Sequence, residues 1–209
     1  IVLTLIFLLP VSNSFGAMIT HNQTVSIDPG TLIAGVAFNS DGTKVFTGSA
    51  NSPDNQFINE FSLSIPYDVS SKTYTGDSER CDMGGRMEST PYDLEFSSDG
   101  MRFFIVTRNA GNNTADGDKA YGFDLTSPYD VSTCTFASQT KDLDSPTFTS
   151  GSLAGDFDHA GAENRKHRLQ GIEINNDGTK LFLIWFDADD ADVGARLLEY
   201  TLSTPYDLT

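Results

Sequence analysis

Basic charge is what this sequence has least of. Thirteen lysines and arginines face 29 acidic residues, which leaves a formal net charge of −16. Such an excess repels phosphate backbones and anionic headgroups, and so argues against nucleic acid and negatively charged membranes as partners. Histidines number three, His21, His159 and His167. No two have metalloprotease spacing, and no Gly-x-Ser-x-Gly elbow accompanies them. Cysteine is as scarce, with Cys81 and Cys134 alone. Neither has a histidine beside it, so they make no zinc motif. Two cysteines in an exported protein form a bridge or stay apart as small buried thiols, and both outcomes are open here. Sustained helical periodicity is missing as well, whereas Gly, Ser, Thr, Asn and Asp are plentiful. This is the composition of a turn-rich, all-β protein.

Long apolar runs are limited to IVLTLIFLLPV at residues 1–11. The run is too short to span a bilayer comfortably. It reads as the hydrophobic region of a secretory signal peptide without its charged start, with Ser14 and Gly16 as small residues before a cut at Ala17. The expectation is a truncated leader over 1–17 and a mature β domain over 18–209. Export to the periplasm, the cell surface or the medium follows, with no membrane insertion after the leader is removed. A retained anchor is the alternative.

What the sequence does have is a repeat. FNSDGTKVF at 38–46 returns as FSSDGMRFF at 96–104 and INNDGTKLF at 174–182. Each copy reads as apolar strand, Asp-Gly turn, apolar strand, a strong hairpin signal because glycine takes positive φ without steric cost. A second motif follows each hairpin: FSLSIPYDVS (61–70), FDLTSPYDVS (123–132) and YTLSTPYDLT (200–209). Aligned on both, the chain divides into units of four antiparallel strands over about 30–77, 91–138 and 169–209, the last lacking its fourth strand. THNQTVSI (20–27) is a candidate outer strand of another unit. Repeated four-stranded units are the signature of β-propeller blades, and closed propellers use roughly four to eight. The expectation is an all-β propeller with about three blades visible, in an incomplete or open ring.

The S-D-G-T-K hairpin resembles the YVTN and lactonase-like propeller repeats of exported bacterial proteins. Together with L-S-x-P-Y-D-V-S it is similar to a subgroup of such repeats in marine bacterial and phage sequences. The resemblance covers nearly all of 30–209 and implies blade architecture, since the same repeats carry many functions.

The insertions all fall in the connections between second and third strands and between blades, so one face is built of uniform turns and the other of long, dissimilar loops. Binding usually resides on long loops raised by a rigid scaffold. In those loops Asp187, Asp189, Asp190 and Asp192 place four carboxylates within six residues, a candidate calcium site because calcium collects hard oxygen ligands. Open water screening the same carboxylates is the plainer reading. Asp156, Asp158 and His159, the basic cluster around Arg165 and His167, and Trp185 are candidate ligand contacts. The expected function is an exported module presenting acidic loops to protein or carbohydrate, with no catalytic set assembled. The alternatives are a propeller hydrolase of lactonase or metal-dependent type, which needs carboxylates converging on the central channel, and a structural repeat of a larger adhesin, fibre or viral appendage.

Overall fold

The computed structural model describes residues 21–27, 32–52, 55–74, 76–83, 90–108, 119–140, 167–187 and 195–209. Three antiparallel sheets account for nearly all of them. The first holds β1 (Leu32–Phe38), β2 (Lys44–Ser52), β3 (Asn55–Leu63), β4 (Lys72–Thr73) and β5 (Arg80–Asp82). The second is β6 (Thr90–Phe96), β7 (Arg102–Arg108), β8 (Ala120–Asp124) and β9 (Thr135–Gln139), paired in chain order. The third is β10 (His167–Ile174), β11 (Lys180–Asp187) and β12 (Ala195–Thr201). These are the blades of a β-propeller, and the ring they form is not closed.

The second strand of each blade is apolar on both faces because it lies between neighbouring sheets. Phe46 of β2 faces Phe103 and Ile105 of β7 in one core, completed by Ile58, Leu94 and Tyr121. Phe104 and Val106, on the opposite face of β7, meet Leu181 and Leu183 of β11 in the other. Alternation along a single strand thus feeds two cores. The flank of the third blade away from the second carries Ile184 and Leu197, which are 47% and 71% exposed.

Every hairpin corner is built alike. Asp41 and Asp177 accept the backbone N–H and hydroxyl of Thr43 and Thr179, and Asp99 accepts the N–H of Met101. Those bonds hold all three carboxyls below the usual range. The Pro-Tyr-Asp turn then folds back on the hairpin of its own blade. The N–H groups of Tyr67, Tyr129 and Tyr206 donate to the carbonyls of Gly42, Gly100 and Gly178. The two kinds of short turn therefore share one rim, as the repeat pattern requires. Each tyrosine ring covers the hairpin glycine of its own blade.

Two expectations need correction. The first unit, expected to end on a fourth strand by residue 77, has that strand broken: β4 is two residues long and β5 resumes pairing with β3 after a 3-10 turn at Asp77–Glu79. The segment 21–27 is coil, and Ile27 packs on Val45, Phe61 and Leu63 while Gln23 donates to Asp68 at 2.8 Å. A side chain bridging to the Pro-Tyr-Asp corner replaces the strand pairing expected there.

Candidate active site

The first strand of each blade lies innermost, with β6 packed between β1 and β10. Four residues before each hairpin aspartate these strands carry Ala37, Glu95 and Glu173. The register confirms the equivalence, since each of the three pairs with the phenylalanine of its neighbouring strand: Phe46, Phe104 and Phe182. Leu94 and Phe96 point into one core, so alternation turns Glu95 to the opposite face of the strand. Glu173 projects in the same way from between buried Ile172 and Ile174. A cleft of about 500 Å³ opens there, lined by both glutamates with Val36, Ser40, Ser98 and Asn176. No basic side chain is among the described residues that line it.

Burial, and then the charges of Glu173 and Asp93, push the Glu95 carboxyl up to about 7, against a smaller opposing pull from the Phe96 N–H. Desolvation disfavours the ionised form, and like charges disfavour it further. A carboxyl in this condition exists in both protonation states near neutral pH, which suits it to proton transfer. Asp93 is also raised, by burial, against the N–H bonds from Ile172 and Leu94. Its surroundings are tight. A Cβ on Gly35, which has φ of +72°, would lie 3.0 Å from the Asp93 Cα, and a Cβ on Gly171 would lie 3.5 Å from its Oδ2. Glycine at position 35 admits the Asp93 backbone, whereas a side chain at position 171 would meet the carboxylate only in ordinary contact.

Asp156, Asp158, His159, Arg165, Asp189, Asp190 and Asp192 fall outside the described residues. For His167, Trp185 and Asp187 the backbone is described, with His167 paired to Asp187 and Leu169 to Trp185 where β10 meets β11. Among the described residues no group of three acidic, histidine or cysteine side chains is gathered as for a metal ion. Cys81 and Cys134 are joined by a disulfide with Cα atoms 5.7 Å apart, tying β5 of the first blade to the corner before β9 of the second. The sequence carried a signal for the glutamates: PYDLEF and LQGIEI each place one directly between two apolar residues, Leu94 and Phe96 in the first and Ile172 and Ile174 in the second. The described cleft, moreover, lies towards the rim of short turns, because Ser40, Ser98 and Asn176 belong to hairpin corners.

No family model matches the chain, and no curated protein matches it. Solved structures do. A protein from Lactobacillus plantarum is 15% identical with a TM-score of 0.45, covering 82% of this chain and 41% of that one. A Bacteroides uniformis protein, provisionally named a 6-phosphogluconolactonase, is 17% identical with a TM-score of 0.42, covering 80% and 39%. The periplasmic gluconolactonase of Pseudomonas aeruginosa is 15% identical with a TM-score of 0.39, covering 82% and 41%. The chain thus spans about two-fifths of the length of these structures. Likeness at this level concerns the lactonase-like propeller fold, and the names belong to those proteins. The expected binding or surface-interaction module is corrected on this point: three of the structures this chain resembles are named as lactonases, two of them provisionally, in line with the hydrolase alternative. Two carboxylates that the sequence left apart, Glu95 and Glu173, line one cleft.

Proposed function

We propose that this chain forms part of a propeller hydrolase that opens a cyclic ester, with Glu95 and Glu173 as its acid–base pair. One observation carries the reading. Two glutamates on adjacent innermost strands face one cleft, and burial with like charge pushes the first up to about 7. Pairs of carboxyl groups in unequal environments divide the roles of acid and base. Water attacks the ester carbonyl carbon while Glu173 takes its proton. The ring C–O bond breaks, and the departing oxygen takes the proton held by Glu95. The product is the open hydroxy acid, and one proton passed back restores the pair. A cleft holding two carboxyl groups, with no basic lining residue among those described, favours an uncharged polyhydroxylated ring over a phosphorylated one.

The test is hydrolysis of aldonic acid lactones by the full chain, measured above the spontaneous rate. Glu95→Gln and Glu173→Gln should each lower the rate by about 10²- to 10⁴-fold, the usual worth of a positioned acid or base. Unchanged rates in both variants, or no hydrolysis by the parent protein, would sink the assignment.

Export fits the same reading, because a disulfide persists in oxidising compartments and the run at 1–11 has the character of a leader. No helix among the described residues is long and apolar enough to cross a membrane. Calcium at Asp187, Asp189, Asp190 and Asp192 is a separate proposal. Bound calcium would raise the melting temperature by mass action, and an identical melting curve with EDTA ends the idea.

A further inference from the structure

We infer that Asp93 is a positioning residue for the glutamate pair, clamping the peptide groups that lead into both of them. This inference rests on the acid–base reading of Glu95 and Glu173. The Asp93 Oδ1 accepts the N–H of Leu94 at 3.0 Å, and its Oδ2 accepts the N–H of Ile172 at 3.1 Å. Leu94 immediately precedes Glu95, and Ile172 immediately precedes Glu173. A single carboxylate thus grips both strands one residue ahead of the paired side chains, across a separation of 79 residues in the chain.

The local backbone explains why a clamp is needed. β6 and β10 both shift register where they pair with their own neighbours, between Pro91 and Asp93 and between Leu169 and Gly171. Such bulges locally disrupt the ladder and re-aim the side chains that follow. Both glutamates come directly after those irregularities, so their spacing depends on whatever fixes β6 against β10. The Asp93 carboxylate supplies such a bond across the blades.

The repeat argues the same way. The positions equivalent to Asp93 in the other two blades are Gly35 and Gly171, so the carboxylate occurs once, where it can reach the strand bearing the second glutamate. A carboxylate in that half-buried place is costly, and hydrogen bonds to the ionised form offset the cost.

The experiment compares Asp93→Asn and Asp93→Ala with the parent in three measurements: the 13C-observed titration of Glu95, the split of KM and kcat for lactone hydrolysis, and thermal melting. Besides Asp93, the charged group facing Glu95 is Glu173, while β1 offers uncharged Val36 and Ala37. Removing Asp93 should therefore lower the pH at which Glu95 titrates and shift the corresponding limb of the rate profile in step. In Asp93→Ala, kcat should fall at least tenfold while KM changes less than threefold. Asparagine can accept one N–H but not both, so Asp93→Asn should lose less. A lower melting temperature with unchanged Glu95 titration and an unchanged rate profile would make Asp93 merely structural and overturn the clamp. If the parent hydrolyses no lactone, the functional reading fails, yet the Glu95 titration still decides whether Asp93 governs it.

Discussion

Gly42, Gly100 and Gly178 occupy positions that admit no side chain. Their φ values are +72°, +69° and +72°, and a Cβ would fall 2.3 to 2.4 Å from the ring of the tyrosine lying on each. Those tyrosines carry positive φ themselves, at 59°, 55° and 61°. A non-glycine residue there costs about 1 kcal/mol. The conformation is held because it brings an N–H onto the glycine carbonyl and the ring over the corner. Gly100→Ala combines backbone strain with a clash, and should destabilise the protein by about 2–4 kcal/mol in urea unfolding. Tyr129→Phe keeps the ring and its backbone bond, and should stay within about 1 kcal/mol of the parent. Glu95 makes the opposite prediction. Its folded value of about 7 lies above its ordinary 4.5, so the fold disfavours its ionised form. The penalty is absent below 4.5, grows between 4.5 and about 7, and is fully present above that. Glu95→Gln should therefore stabilise by about 1–3 kcal/mol at pH 8 and by nothing measurable at pH 4. Melting temperatures across that range check the sign. These glycines and the hairpin aspartates were legible in the sequence because one local geometry dictates both. Glu95 was less legible because its environment depends on which strands become innermost, and that is set by packing between distant segments.

Among the elements, β5 departs furthest from the repeat. It pairs with β3 through Phe57, Ile58 and Asn59, and carries Cys81, which is fully buried, as is Met83 just beyond. Arg80 lies over the Phe57 ring at 3.8 Å and pairs with Asp77 at 2.6 Å. The ion pair is exposed on one side and contributes little. The disulfide matters more. It closes a loop with a sequence separation of 53, for which chain entropy gives about 4 kcal/mol. Replacing both cysteines by serine should lower stability by about 2–5 kcal/mol, the usual cost of losing a native bridge. If β5 depends on the bridge, amide exchange should quicken at Ile58 and Asn59 before it does in β7. Uniform exchange across the first blade would show that β3 holds β5 unaided. The sequence placed the first three strands of each blade, since each lies between turn signals with its own apolar pattern. It did not show β5, because RCD offers three residues and no alternation.

Across the whole arc, blades are joined by a repeated polar device as well as by their cores. Lys44, Arg102 and Lys180 begin the second strand of each blade. Lys44 donates to the Tyr129 carbonyl of the second blade at 2.9 Å, and Arg102 donates to the Tyr206 carbonyl of the third. Lys180 turns to Glu199 and Thr201 of its own sheet. At the first junction the network includes a buried acid. Glu60 pairs with Lys44 at 2.5 Å and accepts the Val131 N–H at 3.2 Å. Burial nonetheless raises its carboxyl above the ordinary value, outweighing Lys44. Deleting Lys44 would leave that carboxylate with a backbone partner and a desolvation cost that nothing balances. Lys44→Met should thus destabilise the junction by about 2–4 kcal/mol at pH 7, as expected when one member of a buried pair is removed. The sign follows from Glu60, whose penalty is present above its unfolded value and absent below it. The loss should accordingly shrink towards pH 4, where Glu60 folds as the neutral acid. Lys44→Met with Glu60→Leu should recover most of the difference, since an apolar replacement removes the stranded charge together with its partner. A pH-independent loss that the second change fails to restore would place the contribution of Lys44 in its methylene packing instead.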